Sequence, residues 1–445
     1  MTDSTSPGSG YDRLSRRLRE AQRDRRIPAI AAAVRRGADH AWGDAVLAGP
    51  DDQFRLGSIT KTFTAVLVLQ CRDAGLLDLD DPLSAHLPVD LPAGVTVRRV
   101  LAHGAGVQRE PAGDIWAGGE PPDSAGLLAG VPSVEQVLPP GRRFHYSNLG
   151  FALLGELVAA RRRMPWADAL DAYLLRPLAL GRVTLQPTGP SVQGSYVQPY
   201  SDQVTAEPHT AMRGVAPAAQ LWSTAGDLAR WGSFLAAPDP AVLAPATVAE
   251  MSEVAVMADP QRWMLAYGLG LMLYRREQRI LIGHGGAMPG FLAGLAVDRE
   301  TRTAAAVLTA TGVGADAEVL ACQLLEDALA AQPAPIEAWA PGAPPPPEVS
   351  TMLGRWWTEG NEVVLSWHGR LEARLVAAPA WRAPAVFERL PEAGSGEQWR
   401  TVSGRECGEL LRVGRLPDGE PSRVTWAGYV LTRTPDSFAD LARPT

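Results

Sequence analysis

The chain has 445 residues, 46% of them hydrophobic and 20% charged, an ordinary globular composition with room for two or three domains. A formal net charge of −7 excludes nucleic acid and anionic membrane surfaces as natural partners, because either would require a basic face. Cys71, Cys322 and Cys407 are too far apart and too few for a disulfide framework or a zinc site, so they read as buried or free thiols, and no metal or other cofactor is implied.

Residues 1–10 are small and polar and are expected to form a disordered leader. The apolar stretch 27–34 is too short for a signal core, and no run approaches the ~20 apolar residues of a spanning helix. A cytoplasmic protein is the expectation. Residues 11–25 place Leu14 and Leu18 at helical spacing, and 27–34 with 40–47 predict two strands joined at Gly37. The long apolar segment 59–76 predicts a buried helix that starts at Ser58. Further helices are predicted over 97–101, 151–160, 166–175, 224–235 and 317–331. Apolar runs at 265–274, 279–283 and 293–308, the last broken at 298–302, predict consecutive strands. Helices between two groups of strands give an α/β domain over 11–331 whose antiparallel sheet is closed from both chain ends. Residues 332–348, with Pro333, Pro335, Pro341 and the run 344–347, predict an extended linker. Beyond it, six or seven short strands between 353 and 432 predict a small antiparallel barrel over 349–445.

Ser58-Ile59-Thr60-Lys61 places a hydroxyl and an amine three residues apart on one helix face, where the amine can accept the serine proton. Of the 42 lysine and arginine residues, Lys61 is the sole lysine. Arginine stays protonated and cannot act as a base, so the one cation able to lose its proton follows a helix-leading serine. Tyr146-Ser147-Asn148 enters a helix from a loop: the tyrosine hydroxyl could relay a proton and the Asn148 amide could hold a substrate carbonyl. His284-Gly285-Gly286-Ala287 ends a strand whose glycines permit close approach. The N–H groups of Ser58 and Ala287 could then stabilise an oxyanion beside Gly286, with His284 as a polar or cationic lining. Each element also has a structural alternative: a chance surface lysine, a capping Ser147 with Tyr146 packed behind it, a structural strand-end histidine.

Together and in this order, the three elements resemble those of the serine β-lactamase and penicillin-binding-protein family: S-x-x-K, Y-x-N and H-x-G. Phe54-Arg55-Leu56-Gly57, Val100-Leu101-Ala102-His103-Gly104 and Leu221-Trp222-Ser223-Thr224-Ala225-Gly226-Asp227 are similar to that family too. The resemblance covers roughly residues 10 to 330. It implies a β-lactamase/transpeptidase-like fold, Ser58, Lys61, Tyr146 and His284 as catalytic residues, and Asn148, Gly286 and Ala287 as substrate-binding ones. His103 is implied to be structural. Tyrosine and histidine in the second and third motifs point to the class C and esterase branch and away from β-lactam hydrolysis.

The resemblance further implies an acyl-enzyme on Ser58, formed from a small-molecule or peptidyl ester, thioester or amide, with a carrier protein as one way of presenting it. The layout is most similar to penicillin-binding-protein-type thioesterases that release and macrocyclise nonribosomal peptides and carry a lipocalin-like barrel. That type implies a basic residue near the chain end that meets a peptide carboxylate, and Arg433 fits the place. A cytoplasmic esterase or D-amino-acid-specific peptidase is the alternative, and a catalytically silent binding module a remoter one.

Overall fold

Ile30, Ala32 and Val34 point to one face of the strand Ile30–Arg36, and Ala31 and Ala33 to the other. Both sets are buried because helices cover both sides of the sheet, which is why the strand reads as an unbroken apolar run instead of an alternating one. The computed structural model describes residues 8–37, 40–333, 338–391 and 397–437, which divide into two compact units, Met1–Pro335 and Ile336–Thr445. The leader expected over 1–10 lies outside the described residues as far as residue 7, and Gly8 already belongs to the helix Gly8–Asp24. Part of the expected linker, 334–337, lies outside them too.

In the first unit Ile30–Arg36 pairs antiparallel with His40–Val46 on one side and Thr303–Thr309 on the other. Phe291–Asp298, Arg279–Met288, Met272–Arg276, Leu265–Tyr267 and Val256–Met257 follow in that order, so strands from both ends of the unit build one eight-stranded antiparallel sheet. The three predicted strand runs resolve into five strands. Gly268 and Gly270, the latter at φ +79°, break the first run, and Asp298 turns the last by accepting the Glu300 N–H at 3.0 Å.

Helices Gly8–Asp24 and Ala317–Ala331 seat Leu14, Leu18, Leu320 and Leu324 on one face of the sheet, against Ile30, Val34 and Val307. Ala225–Ala236 covers the other face with Leu228, Trp231 and Leu235. The helix Thr60–Asp73 is buried on nearly every side, hence its lack of a polar stripe. Phe63 on it stacks on Trp231 with ring centroids 3.9 Å apart, and the Trp231 indole donates to Thr62 Oγ1 at 2.8 Å. An aromatic pair of this kind adds about 0.5–1.5 kcal/mol to area burial and fixes the register of the helix that carries Lys61. The predicted helix over 166–175 is α-helical only for Trp166–Leu170 and continues as one π turn, Asp171–Leu175. No helix among the described residues is long and apolar enough to cross a membrane.

The second unit is an eight-stranded antiparallel meander in sequence order, from Gly354–Thr358 to Tyr429–Leu431. It is nearly closed: Trp357 and Thr432 exchange backbone hydrogen bonds of 2.8 and 2.9 Å between the first strand and the residue after the last. Val363, Leu365, Phe387, Trp399, Leu411 and Trp426 fill the barrel. Eight strands stand where six or seven were expected, and the last two, Pro421–Trp426 and Tyr429–Leu431, turn at Ala427-Gly428, both at positive φ (51° and 87°), as a right-twisted two-residue hairpin requires.

Candidate active site

Gly57 opens a short 3-10 turn, Gly57–Ile59, that runs into the helix Thr60–Asp73, so Ser58 sits on the turn and Lys61 on the first turn of the helix proper. Gly57 has φ +53°, and a Cβ there would fall 2.6 Å from the Ala287 nitrogen. A Cβ on Gly286 would lie 1.8 Å from the Leu56 carbonyl oxygen and 3.3 Å from the Ser58 nitrogen. Two glycines therefore let the strand Arg279–Met288 lie against the serine turn, bringing the Ala287 and Ser58 backbones to one place.

Lys61 is wholly buried, and its Nζ lies 3.0 Å from Ser58 Oγ, 2.6 Å from Asn148 Oδ1 and 2.9 Å from the Ala218 carbonyl oxygen. Burial holds its pKa well below the ordinary lysine value; the charge of Glu110 pulls upward against this and that of Arg109 downward. A neutral amine has two N–H groups and one lone pair. The Asn148 and Ala218 oxygens can only accept, so they take the two N–H groups and the lone pair is left facing the Ser58 hydroxyl.

Ser147 caps the helix Asn148–Arg162 by accepting the Gly150 N–H at 2.9 Å, which leaves Tyr146 just outside the helix and Asn148 at its first position. Capping and function thus coexist in the second motif. The Tyr146 hydroxyl faces Ser58, and burial raises its pKa, so the phenol keeps its proton. Lys61 Nζ faces the Tyr146 ring, 4.7 Å from its centroid. Asn148 was expected to hold a substrate carbonyl. Its side chain lines the cleft and also joins Lys61 to Glu110, donating one Nδ2 N–H to Glu110 Oε1 at 2.7 Å.

His284 was expected as a polar or cationic lining, and the cationic form is not the one found. The ring is fully buried, and burial together with the Lys61 charge lowers its pKa to about 3. Nδ1 donates to the Gly285 carbonyl, so Nε2 accepts from the Tyr267 hydroxyl at 2.9 Å. His103 packs on the Tyr146 ring with centroids 4.1 Å apart and accepts the Ser147 N–H at 3.1 Å, the structural part implied for it.

Ser58, Tyr146, Asn148, His284, Gly286 and Ala287 all line one open cleft of about 900 Å³. Arg433 was expected to meet a peptide carboxylate. It belongs to the second unit, where its guanidinium lies over Trp356, 3.9 Å from the ring centroid, and donates to the carbonyls of Leu353, Arg355 and Thr351 at 3.2, 3.1 and 2.7 Å. Those bonds rivet the end of the meander to its start and use three of the five guanidinium N–H groups. Sequence reasoning missed Glu110, Tyr267, Glu318 and the Ala218 carbonyl. None lies in a motif, and only folding brings them to the motif residues.

The beta-lactamase family model matches residues 14–329, and a domain of unknown function, DUF7586, matches 345–433. Penicillin-binding protein 4 of Amycolatopsis lactamdurans is 30% identical over 339 residues, spanning 72% of this chain and 88% of that protein. The crystal structure of a D-stereospecific amidohydrolase from Streptomyces sp. superposes with a TM-score of 0.61 at 25% identity, over 72% of this chain and 98% of its own. SurE superposes with a TM-score of 0.61 at 23% identity, over 96% of this chain and all of its own, a likeness of fold.

Proposed function

The chain belongs to the beta-lactamase and penicillin-binding-protein-like family of acyl hydrolases, and from that premise we propose that it forms an acyl-enzyme on Ser58 from a peptide-like ester, thioester or amide and passes the acyl group to water or an amine. The observation that carries this reading is the buried Lys61 Nζ, 3.0 Å from Ser58 Oγ and within hydrogen-bond distance of the Asn148 and Ala218 oxygens, with its pKa lowered by burial. Lys61 takes the serine proton as Oγ attacks. The Ser58 and Ala287 N–H groups meet the oxyanion, and the neutral Tyr146 phenol protonates the departing group. In the second half-reaction the same groups act in reverse on the incoming nucleophile. His284, neutral and bonded to Tyr267, keeps the strand end in place and brings no charge to the site.

The most specific form of this reading is release and macrocyclisation of a nonribosomal peptide held as a carrier thioester. The two-unit layout supports it. The named activity of the Streptomyces D-stereospecific amidohydrolase supports a second reading, hydrolysis of D-amino-acid amides by the same machinery. One experiment tests the class and separates the two. The protein is incubated with N-acetylcysteamine thioesters of a peptide ending in a D- or L-residue, and with the matching amides, and intact mass and products are followed. An acyl adduct lost in Ser58→Ala supports the class, a cyclic product the first reading, and turnover of the amide alone the second. No adduct and no product would leave a silent binding module.

A further inference from the structure

The loop 108–110 is fastened to the second motif at three successive residues. The Gln108 carbonyl accepts the Ser147 hydroxyl at 2.7 Å, and the Arg109 carbonyl accepts the Asn148 and Leu149 N–H groups at 2.7 and 3.1 Å. Glu110 Oε1 accepts Asn148 Nδ2 at 2.7 Å, and Gln108 Nε2 holds the Glu110 carbonyl at 2.8 Å. The backbone contacts serve a helix start, whose first N–H groups have no partner inside the helix. The Glu110 carboxylate does something else: it meets a side chain that itself touches Lys61.

A primary amide has a donor end and an acceptor end of nearly the same shape. Lys61 Nζ faces the acceptor end of Asn148, Oδ1, at 2.6 Å. Turned over, the amide would present N–H groups to Nζ. An ammonium would then meet donor against donor, and an amine would spend on Asn148 the lone pair that Ser58 needs. A carboxylate can only accept, so Glu110 admits the Nδ2 end and no other. Lys61 and Glu110 are the hydrogen-bond partners of this amide among the described residues.

We propose that Glu110 is a positioning residue: it fixes the Asn148 amide with Oδ1 toward Lys61 and so aims Nζ at Ser58 Oγ. The assignment rests on the acyl-transfer reading and adds a residue that acts through another. The Glu110 charge reaches Lys61 as well. Tyr146, His103 and His284 also face the amine, but burial keeps the phenol protonated and both imidazoles neutral. Of the charges that remain, the Glu110 carboxylate raises the Lys61 pKa against burial more than Arg109 lowers it. Arg109, with Nε 3.3 Å from Glu110 Oε1, is exposed and screened by solvent.

The test follows phosphonylation of Ser58 by a fluorophosphonate, which requires no particular substrate. Glu110→Ala frees the amide and should slow the reaction at neutral pH by roughly 10–100-fold, the scale of a lost hydrogen bond to a charged group. Made on an Asn148→Ala background, the same change should cost no more than about twofold, since no amide remains to be oriented. Glu110→Gln keeps an oxygen for Nδ2 and removes the charge. Most of the rate should return, with its acid limb moved down by about half a pH unit, because an amine without a carboxylate nearby gives up its proton at lower pH. A purely structural residue would leave that limb in place. Melting temperatures are read on every preparation, and should Glu110→Ala not fold, the limb of Glu110→Gln decides. An unmoved limb, or a loss from Glu110→Ala that is equally large in both backgrounds, overturns the assignment. No phosphonate adduct on wild-type Ser58 overturns the acyl-transfer reading itself, and this assignment with it.

Discussion

Lys61 Nζ lies 3.0 Å from Ser58 Oγ while the lysine itself is wholly buried, so desolvation holds the chain's sole lysine well below the ordinary amine pKa beside the nucleophile. Burial is the larger cause of its lowered pKa, and the two carbonyl acceptors fix which way the lone pair points.

Lys61→Arg should abolish acylation, because a guanidinium with a pKa above about 12 cannot take the serine proton. It should also lower the melting temperature, since a larger side chain has no room at a fully enclosed position and overpacking costs about 1–3 kcal/mol. In the wild type, single-turnover acylation should fall as pH drops through the lowered Lys61 pKa, because the protonated amine cannot take the serine proton. An arginine variant that acylates at a substantial fraction of the normal rate would make Lys61 a provider of charge only.

Tyr146→Phe removes the hydroxyl on Ser58 and leaves the ring packed on His103. Turnover should fall by roughly 10²–10⁴-fold with little change in melting temperature. A normal rate on an amide, whose leaving group needs a proton most, would reduce Tyr146 to a wall of the cleft.

Gly286→Ala puts a methyl group 1.8 Å from the Leu56 carbonyl oxygen, and the contact can be relieved only by moving strand from turn. Acylation should be lost and stability should drop. The check is paired: rate and melting temperature on the same preparation, with Gly130→Ala, where the space is open, as the neutral comparison.

Acid should destabilise the fold through its buried histidines. With His284 held at about 3 against an ordinary 6.5, folded and unfolded chains are both neutral there above pH 6.5. Below it the unfolded chain takes a proton that the folded one refuses. Stability is then lost from pH 6.5 down to about 3, at up to about 1.4 kcal/mol per pH unit. His103, lowered by the same burial, adds to the slope. Urea unfolding between pH 7 and 4 should show a shallower slope in His284→Asn; equal slopes would mean that the folded protein takes up the proton after all.

Arg433→Ala should lower the barrel's melting transition by several degrees, since a stacked guanidinium and three carbonyl bonds join the ends of the meander. Acylation by a small activated ester and the requirement for a peptide acceptor should both stay as they are. A selective loss with the peptide acceptor would restore the carboxylate clamp.

The amino-acid sequence by itself determined the first unit's strand and helix order, the barrel's meander and the three motifs, because periodicity, glycine turns and the S-x-x-K spacing are local properties. Ser58 and Lys61 share a helical turn, and Ser147 announces its own helix start, so both are legible without a fold. Only the tertiary structure decided how charged each group is and whom it meets. Asn148 meets Lys61 and Glu110, His284 is neutral, Glu318 lies on Gly285, and Arg433 lies over Trp356 and meets three carbonyls. Desolvation and hydrogen-bond partners come from residues tens to hundreds of positions apart. A chain can record such neighbours only by folding.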